Sequence, residues 1–333
     1  MKVLLTGGCG FIGSHQAVVL LENGHDVVIV DDLSNSRASV VDRIGEIAGR
    51  SPVFEALDVR DTEALAKVMT GTDCDAIIHF AGLKHVAESM ERPVSYLDVN
   101  VAGCTSVVRA AELSGVRHII FSSSGSIYGA ASQVPIPEDA PIRPTNPYSR
   151  SKAICEEILA TVCEVDPTWS VIALRYFNPA GAHPSGLIGE DPTHLISNIV
   201  PVLMEAAVGS RPSVTVHGTD FDTEDGTAVR DYVHVMDVVR AHAAALDLLA
   251  ARSGFLALNI GRGTGVSVRQ MVTEAERALD KTIPVVEGPR RPGDVAALVA
   301  DTTRSTEVLG ATDYADMQTI FRDAWRFRFN RTD

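Results

Sequence analysis

The first half of the chain alternates two hydrophobic rhythms. Short runs of consecutive apolar residues at 2–6, 26–30 (DVVIV), 76–80 (AIIHF), 118–122 (HIIFS) and 170–175 (SVIALR) predict buried strands, with 52–56 a weaker sixth. Between them, apolar positions recur every three to four residues over 11–22, 61–70, 95–115 and 149–165, which predicts helices. Asn23-Gly24 closes the first of these with a helix-stop signal. Strands that are apolar throughout are covered on both faces. Their alternation with helices predicts an α/β chain built on a doubly wound parallel sheet.

After Asn178 the rhythm changes. The stretch NPAGAHPSGLIGEDP is rich in Pro, Gly, His and Asp, and the segments beyond it are less regular. The expected division is a nucleotide-binding domain over 1–177 and a smaller substrate-binding lobe over 178–333. A long apolar helix over 233–251 is expected to pack back on the first domain, a return contribution placed near 231–252.

A length of 333 residues permits one large core and a second lobe. With 45% hydrophobic and 22% charged residues, disordered and fibrous classes drop out. The formal net charge of -14 argues against a nucleic-acid partner. It still permits a local cationic pocket for a small anion. Five scattered cysteines without a C-x-x-C pair suggest neither a disulfide framework nor a zinc site, and a reducing, cytoplasmic setting is expected. Apolar runs are too short for a signal-peptide core or a bilayer span, so no membrane association is expected. His79, His85, His183, His194, His217, His234 and His242 lack metal-ligand spacing, and no metal is expected.

Gly7, Gly10 and Gly13 form G-x-x-G-x-x-G between a predicted strand and helix. Glycines there allow a tight turn and close approach of a pyrophosphate to free helix N–H groups, the arrangement of a Rossmann-type dinucleotide fold. Asp31, at the end of the second strand, suits the adenosine ribose and would repel a 2'-phosphate, which favours NAD over NADP. Arg37 is the alternative, as a phosphate clamp, but the Asp31-Asp32 pair outweighs it. Asp58 suits either the adenine edge or the cap of a helix starting near Asp61.

Tyr148 and Lys152 form Y-x-x-x-K. On a helix they share one face, where an ammonium and a nicotinamide cation would both favour the phenolate and make Tyr148 a general base. The Ser122–Ser124 run ends a predicted parallel strand, where such sheets bind ligands.

Seven motifs together carry a family resemblance: TGGCGFIG (6–13), HFAGLKHVAES (79–89), FSSSGSIYG (121–129), PYSRSK (147–152), LRYFNPAGAHPSGLIGEDP (174–192), EDGTAVRDYVHVMD (224–237) and RRPGD (290–294). Through nearly its whole length the chain resembles the UDP-glucose 4-epimerases, of the extended short-chain dehydrogenase/reductase family. The resemblance implies a base at Tyr148, a lysine at Lys152 and a catalytic hydroxyl at Ser124. It implies NAD contacts from Gly7, Gly10, Phe11, Ile12, Gly13, Asp31, Asp32, Asn35, Ser36, Asp58, Val59, Phe80, Ala81, Gly82, Lys84, Asn100, Ser122, Tyr148, Lys152, Tyr176 and Phe177. It implies UDP-sugar contacts from Lys84, Ser124, Tyr148, Tyr176, Asn178, Asn198, Ile199, Val216, His217, Arg230, Arg291, Asp294 and Leu298. It further implies a homodimer built on helices near 95–115 and 149–165.

The chain departs from the family pattern at Asp32, usually asparagine, at Val99, commonly the first of an asparagine pair, and at His217, frequently aromatic. Leu298 stands where members restricted to glucose and galactose have tyrosine. Related 4,6-dehydratases carry Thr-Asp-Glu where this chain has Ser-Ser-Ser. A non-catalytic NAD sensor is the rival from another class, and such proteins tend to lose the tyrosine or lysine present here. The implied reaction inverts C4 of a UDP-hexose through a 4-keto intermediate, with the hydride returned by the same bound cofactor.

Overall fold

A computed structural model describes residues 1–193, 196–291, 293–310 and 314–330. His194, one of the histidines considered above, lies outside them. The nucleotide-binding part contains β1 (Lys2–Thr6), β2 (Asp26–Asp31), β3 (Val53–Ala56), β4 (Ala76–His79), β5 (His118–Ser124) and β6 (Ser170–Tyr176). Further along lie β7 (Asn178–Ala180), β8 (Val214–His217), β9 (Val229–His234) and β10 (Gly254–Ile260). One parallel sheet of seven strands runs β10-β6-β5-β4-β1-β2-β3. The chain reverses direction across the sheet between β1 and β4, which opens a crevice at the carboxyl ends of the strands.

Strand alternation splits the apolar residues between two cores. Val3 and Leu5 point to the side covered by the helices Phe11–Glu22 and Val235–Leu249. Leu4, Val28 and Ile77 point to the side covered by Thr62–Gly71, Gly103–Ser114 and Pro147–Val165. Both faces are buried, as continuous apolar strands require.

Three differences from the expected elements have local causes. The return to the first domain extends past 231–252, because β10 pairs with β6 along its full length. A buried polar residue, Asn259, interrupts its apolar run. It is satisfied by the Tyr128 hydroxyl and the Ile136 carbonyl, both at 2.8 Å. The helix expected over 233–251 begins only at Val235, since β9 occupies the residues before it and His234 Nδ1 caps the Met236 N–H at 3.0 Å. The helix expected over 95–115 contains a π-helical turn, Leu97–Ala102, that points Asn100 into the protein.

The lobe adds β11 (Gly265–Ser267), β12 (Val285–Gly288) and β13 (Ala297–Leu298). β9 pairs with β11, β13 and β7, while β12 pairs with β8. Leu203, Met204, Met271, Ile320 and Phe321 form its core, with helices Ile199–Val208, Val268–Leu279 and Met317–Asn330 around it. Among the described residues no helix is long and apolar enough to cross a membrane.

His15, His79 and His242 are among the histidines buried in the framework. His15 Nδ1 bonds the Phe11 carbonyl at 2.6 Å, His79 Nδ1 meets the Thr6 hydroxyl at 2.7 Å, and His242 Nδ1 bonds the Val238 carbonyl at 3.0 Å. Burial lowers their pKa values to about 3, about 3 and about 4. Below the ordinary value of 6.5 the unfolded chain therefore takes up protons that the folded chain refuses, and stability falls as pH falls. Each histidine contributes up to about 1.4 kcal/mol per pH unit in the window between 6.5 and about 4. Urea unfolding at a series of pH values should show that slope, and His242→Leu should remove about one proton's worth of it.

Candidate active site

The glycine turn between β1 and the helix Phe11–Glu22 is packed so closely that side chains do not fit. A Cβ at Gly13 would stand 2.4 Å from the Gly7 carbonyl oxygen, and one at Gly7, where φ is +66°, 2.7 Å from the Ala81 nitrogen. The helix starts at Gly10 without a side-chain cap, so its first N–H groups face the crevice. Asp31 lies at the carboxyl end of β2. Its Oδ2 accepts from the Cys9 N–H at 2.9 Å, and its Oδ1 from the Leu33 N–H at 2.9 Å and the Ser36 hydroxyl at 2.8 Å. Burial raises its pKa, and these bonds offset part of the rise. Oδ2, with a single donor, retains acceptor capacity for a ribose hydroxyl. This cradle fits a dinucleotide.

Asp58 and Asp61 take separate tasks. Asp61 caps the helix Thr62–Gly71 by accepting from the Ala64 N–H at 3.0 Å. Asp58 instead holds the Arg60 side chain, which lowers its own pKa. The two alternatives raised for Asp58 are thereby separated, and the cap goes to its neighbour.

Tyr148 and Lys152 stand one turn apart on the helix Pro147–Val165. Asn146 and Ser149 start it with a reciprocal capping box, and Pro147 occupies its first turn. The helix brings both side chains to the end of β5. Lys152 Nζ donates to the Ser122 carbonyl at 2.8 Å and lies 4.9 Å from the centroid of the Phe121 ring. Burial lowers the Lys152 pKa, opposed by Cys155, Cys104 and Glu156. Burial raises that of Tyr148, and a hydrogen bond with the Ser124 hydroxyl works against the rise. The ammonium is directed at the Ser122 carbonyl, and the protein alone leaves the phenol protonated at neutral pH. The Tyr176 hydroxyl donates to the Ser122 hydroxyl beside them. Ser126, which the sequence reading did not single out, bonds the Ser124 hydroxyl through its own hydroxyl at 2.9 Å and its N–H at 3.2 Å.

One cleft of about 1660 Å³ joins these parts and continues into the lobe. Its walls include Gly7, Gly10, Phe11, Ile12, Gly13, Asp31, Asp32, Asn35, Ser36, Asp58, Val59, Phe80, Ala81, Gly82, Lys84, Ser122, Tyr176 and Phe177 around the crevice. At the lobe end it is lined by Asn178, Asn198, Ile199, His217, Arg230, Arg291, Asp294 and Leu298. Arg230 donates to the Val229 and Val295 carbonyls, both at 2.9 Å, and lies 3.8 Å from Asp294. Arg291 reaches the other Asp294 oxygen at 3.0 Å. One carboxylate thus holds two guanidinium groups at the cleft, which suits a diphosphate. Burial lowers the Arg230 pKa, and Asp294 counters it.

Two expected contacts fall behind the wall. Asn100 spends its amide inside the protein, accepting from the Leu83 N–H at 2.7 Å and donating to the Leu83 carbonyl at 3.0 Å and the Ser151 hydroxyl at 2.8 Å. It shapes the Gly82 loop and does not line the cleft. Val216 is buried, because alternation along β8 turns Thr215 and His217 to the cleft and Val216 away. Glu190, which carried no role in the sequence reading, lines the cleft and accepts from both Lys84 Nζ and Asn198 Nδ2 at 2.6 Å. Among the described residues no three His, Cys, Asp or Glu side chains are grouped to hold a metal ion.

A parallel nucleotide-binding sheet with a Tyr-Lys pair at its strand ends and a second lobe across the cleft defines an extended short-chain dehydrogenase/reductase-type enzyme. Residues 3–261 match the model of the NAD dependent epimerase/dehydratase family, and the chain belongs to that family. It is 44% identical to UDP-glucose 4-epimerase 2 of Arabidopsis thaliana, over 99% of this chain and 95% of the relative. It is 43% identical to the UDP-glucose 4-epimerase of Bacillus subtilis (strain 168), over 98% and 97%. A crystal structure of UDP-glucose 4-epimerase from Bifidobacterium longum in complex with NAD+ and UDP superposes with a TM-score of 0.96 at 39% identity, covering 99% of this chain and 98% of that one.

Tyr148→Phe should lower turnover by at least about a thousandfold while cofactor and UDP still bind, as kinetics and calorimetry would read. Spectrophotometric titration should place the Tyr148 phenol above its ordinary value of 10.0 in cofactor-free protein and lower once NAD is bound.

Proposed function

We propose that this chain is an NAD-dependent UDP-glucose 4-epimerase that interconverts UDP-galactose and UDP-glucose. The observation that carries the reading is the single cleft that runs from the dinucleotide cradle, past Tyr148, Lys152 and Ser124, to the Arg230–Asp294–Arg291 cluster. Relatives of that activity, more than 40% identical over nearly their whole length, support it.

In this reading Tyr148 takes the proton of the sugar 4-hydroxyl, and Ser124, held by Ser126, hydrogen-bonds the same oxygen. Lys152 fixes a positive charge beneath them by its bond to Ser122. NAD, when bound, supplies a hydride acceptor and then the same hydride to the other face of the 4-keto sugar. Gly7, Gly10, Gly13 and Asp31 hold it. Arg230 and Arg291 grip the diphosphate and Asn178 lines the same cleft, so affinity comes from the nucleotide and the sugar stays loose enough to turn over. The protein is read as cytoplasmic, in keeping with its free cysteines.

Purified protein should convert UDP-galactose to UDP-glucose without added NAD and release NAD on denaturation. Absence of conversion in protein shown to contain NAD would overturn the reading. Leu298 packs beside Phe177 and the Ile127 cluster at the cleft wall. Leucine there leaves more room than tyrosine, so N-acetylated UDP-hexoses should also turn over. Leu298→Tyr should then lower kcat/KM for the N-acetyl substrates about tenfold more than for UDP-galactose.

We also propose a homodimer. Val94, Leu97, Leu113 and Val165 are exposed on the segments expected to form its interface. Sedimentation should give twice the chain mass, and Val165→Glu with Leu113→Glu should shift it towards the monomer.

A further inference from the structure

We infer that Glu190 is a positioning residue that keeps the Lys84 ammonium at the cleft wall and links its placement to substrate capture by Asn198. The inference rests on the epimerase reading above. Lys84 follows β4 in the nucleotide-binding domain, and Asn198 precedes the helix Ile199–Val208 in the lobe. A single carboxylate oxygen, Glu190 Oε1, accepts from both at 2.6 Å. The Glu190 side chain is 8% exposed, so this charge is little screened by water.

Glu190 is held in place independently of its two partners. It leaves a tight hairpin in which Ala182 pairs with Gly189 and the His183 N–H donates to the Ile188 carbonyl at 3.1 Å. The Phe327 ring packs so close to Gly189 that a Cβ there would stand 2.4 Å from it. Three residues on, the Thr193 N–H and hydroxyl both lie 3.3 Å from Asn35 Oδ1 at the adenosine end. The segment therefore crosses the cleft and is tied at both ends.

The shared oxygen makes the two partners interdependent. A diphosphate that draws the Asn198 amide away leaves Lys84 as the one remaining donor on Oε1, and their pair tightens. Lys84 is then kept off the substrate phosphates, where its charge would only strengthen ground-state binding. Gly82 connects this loop to the reacting centre, since a Cβ on it would lie 3.8 Å from Lys152 Nζ.

The test uses NAD-loaded full-length protein. Glu190→Gln keeps the shape and removes the charge. It should lower kcat about tenfold with KM for UDP-galactose unchanged or lower, and calorimetry should find UDP bound no more weakly. Glu190→Asp should recover part of kcat. On a Lys84→Met background, Glu190→Gln should add less than about a twofold further loss, because its effect passes through Lys84. Wild-type kcat in Glu190→Gln, a rise in both KM and UDP dissociation constant, or additive losses with Lys84→Met would each overturn the proposal. Should Glu190→Gln fail to fold, Glu190→Asp and Lys84→Met carry the same comparison. Absence of epimerisation by the wild type, with UDP affinity still answering to Glu190 through Lys84, would overturn the epimerase reading and leave this one standing.

Discussion

A buried ammonium is costly, with a desolvation penalty of several kcal/mol unless neighbouring groups replace the lost water. Lys152 is 5% exposed, and much of the active site can be understood as what keeps it charged there. The Ser122 carbonyl accepts a hydrogen bond from it, the Phe121 ring faces it, and Glu156 adds negative charge from one turn further along the same helix. Glu156 is itself buried and needs balancing. Arg175 on β6 supplies this, its Nε lying 3.0 and 3.1 Å from the two carboxylate oxygens. The Ser123 hydroxyl also donates to Glu156. Tyr148, Lys152 and Glu156 thus form one stripe at four-residue spacing, and the serine run of β5 faces it. The strand is held in the position that presents Ser124 because Ser122 and Ser123, the two residues before it, bond the buried charges.

This explains why the grouping of Tyr148, Lys152 and Ser124 was legible in the sequence. Four-residue helical spacing, a strand end and a glycine turn are local patterns, and each has a direct geometric meaning. The parallel sheet was legible for the same reason, since β1, β2, β4, β5 and β6 each contain an apolar run of three or more residues. β10 was not, because Asn259 breaks its pattern, and its burial makes sense only once Tyr128 and Ile136 are seen beside it. Nor could spacing tell which way the Lys152 charge points. In the fold its ammonium donates to the Ser122 carbonyl.

The lobe was legible by family resemblance and much less by pattern. Arg230 and Arg291 lie 61 positions apart, and they meet because β13 lies beside β9 and Asp294, shortly before it, reaches both guanidinium groups. Val216 and Asn100 illustrate the opposite limit. Both lie within a residue of side chains that face the cleft, but strand alternation buries the first and a π-helical turn directs the second into the Leu83 loop. A motif identifies the neighbourhood of a contact, and the local backbone decides which side chain makes it.

An epimerase of this type has to satisfy two opposed demands. The cofactor and the nucleotide must be gripped, while the sugar between them must be free to present either face. The cleft separates these demands in space. Gly7, Gly13 and Asp31 line one end and the guanidinium pair on Asp294 the other. The middle is lined by a phenol, small hydroxyls and the Leu298 side chain, with few groups able to grip a pyranose through several bonds. Such a division works only if charge at the middle stays where the chemistry needs it. The two buried carboxylates nearest that region, Glu156 and Glu190, each engage a lysine on the cleft wall: the first contributes negative charge beside Lys152, and the second pairs directly with Lys84. Anchoring cations by carboxylates behind or beside them, rather than by the substrate itself, leaves the reacting sugar with freedom to turn.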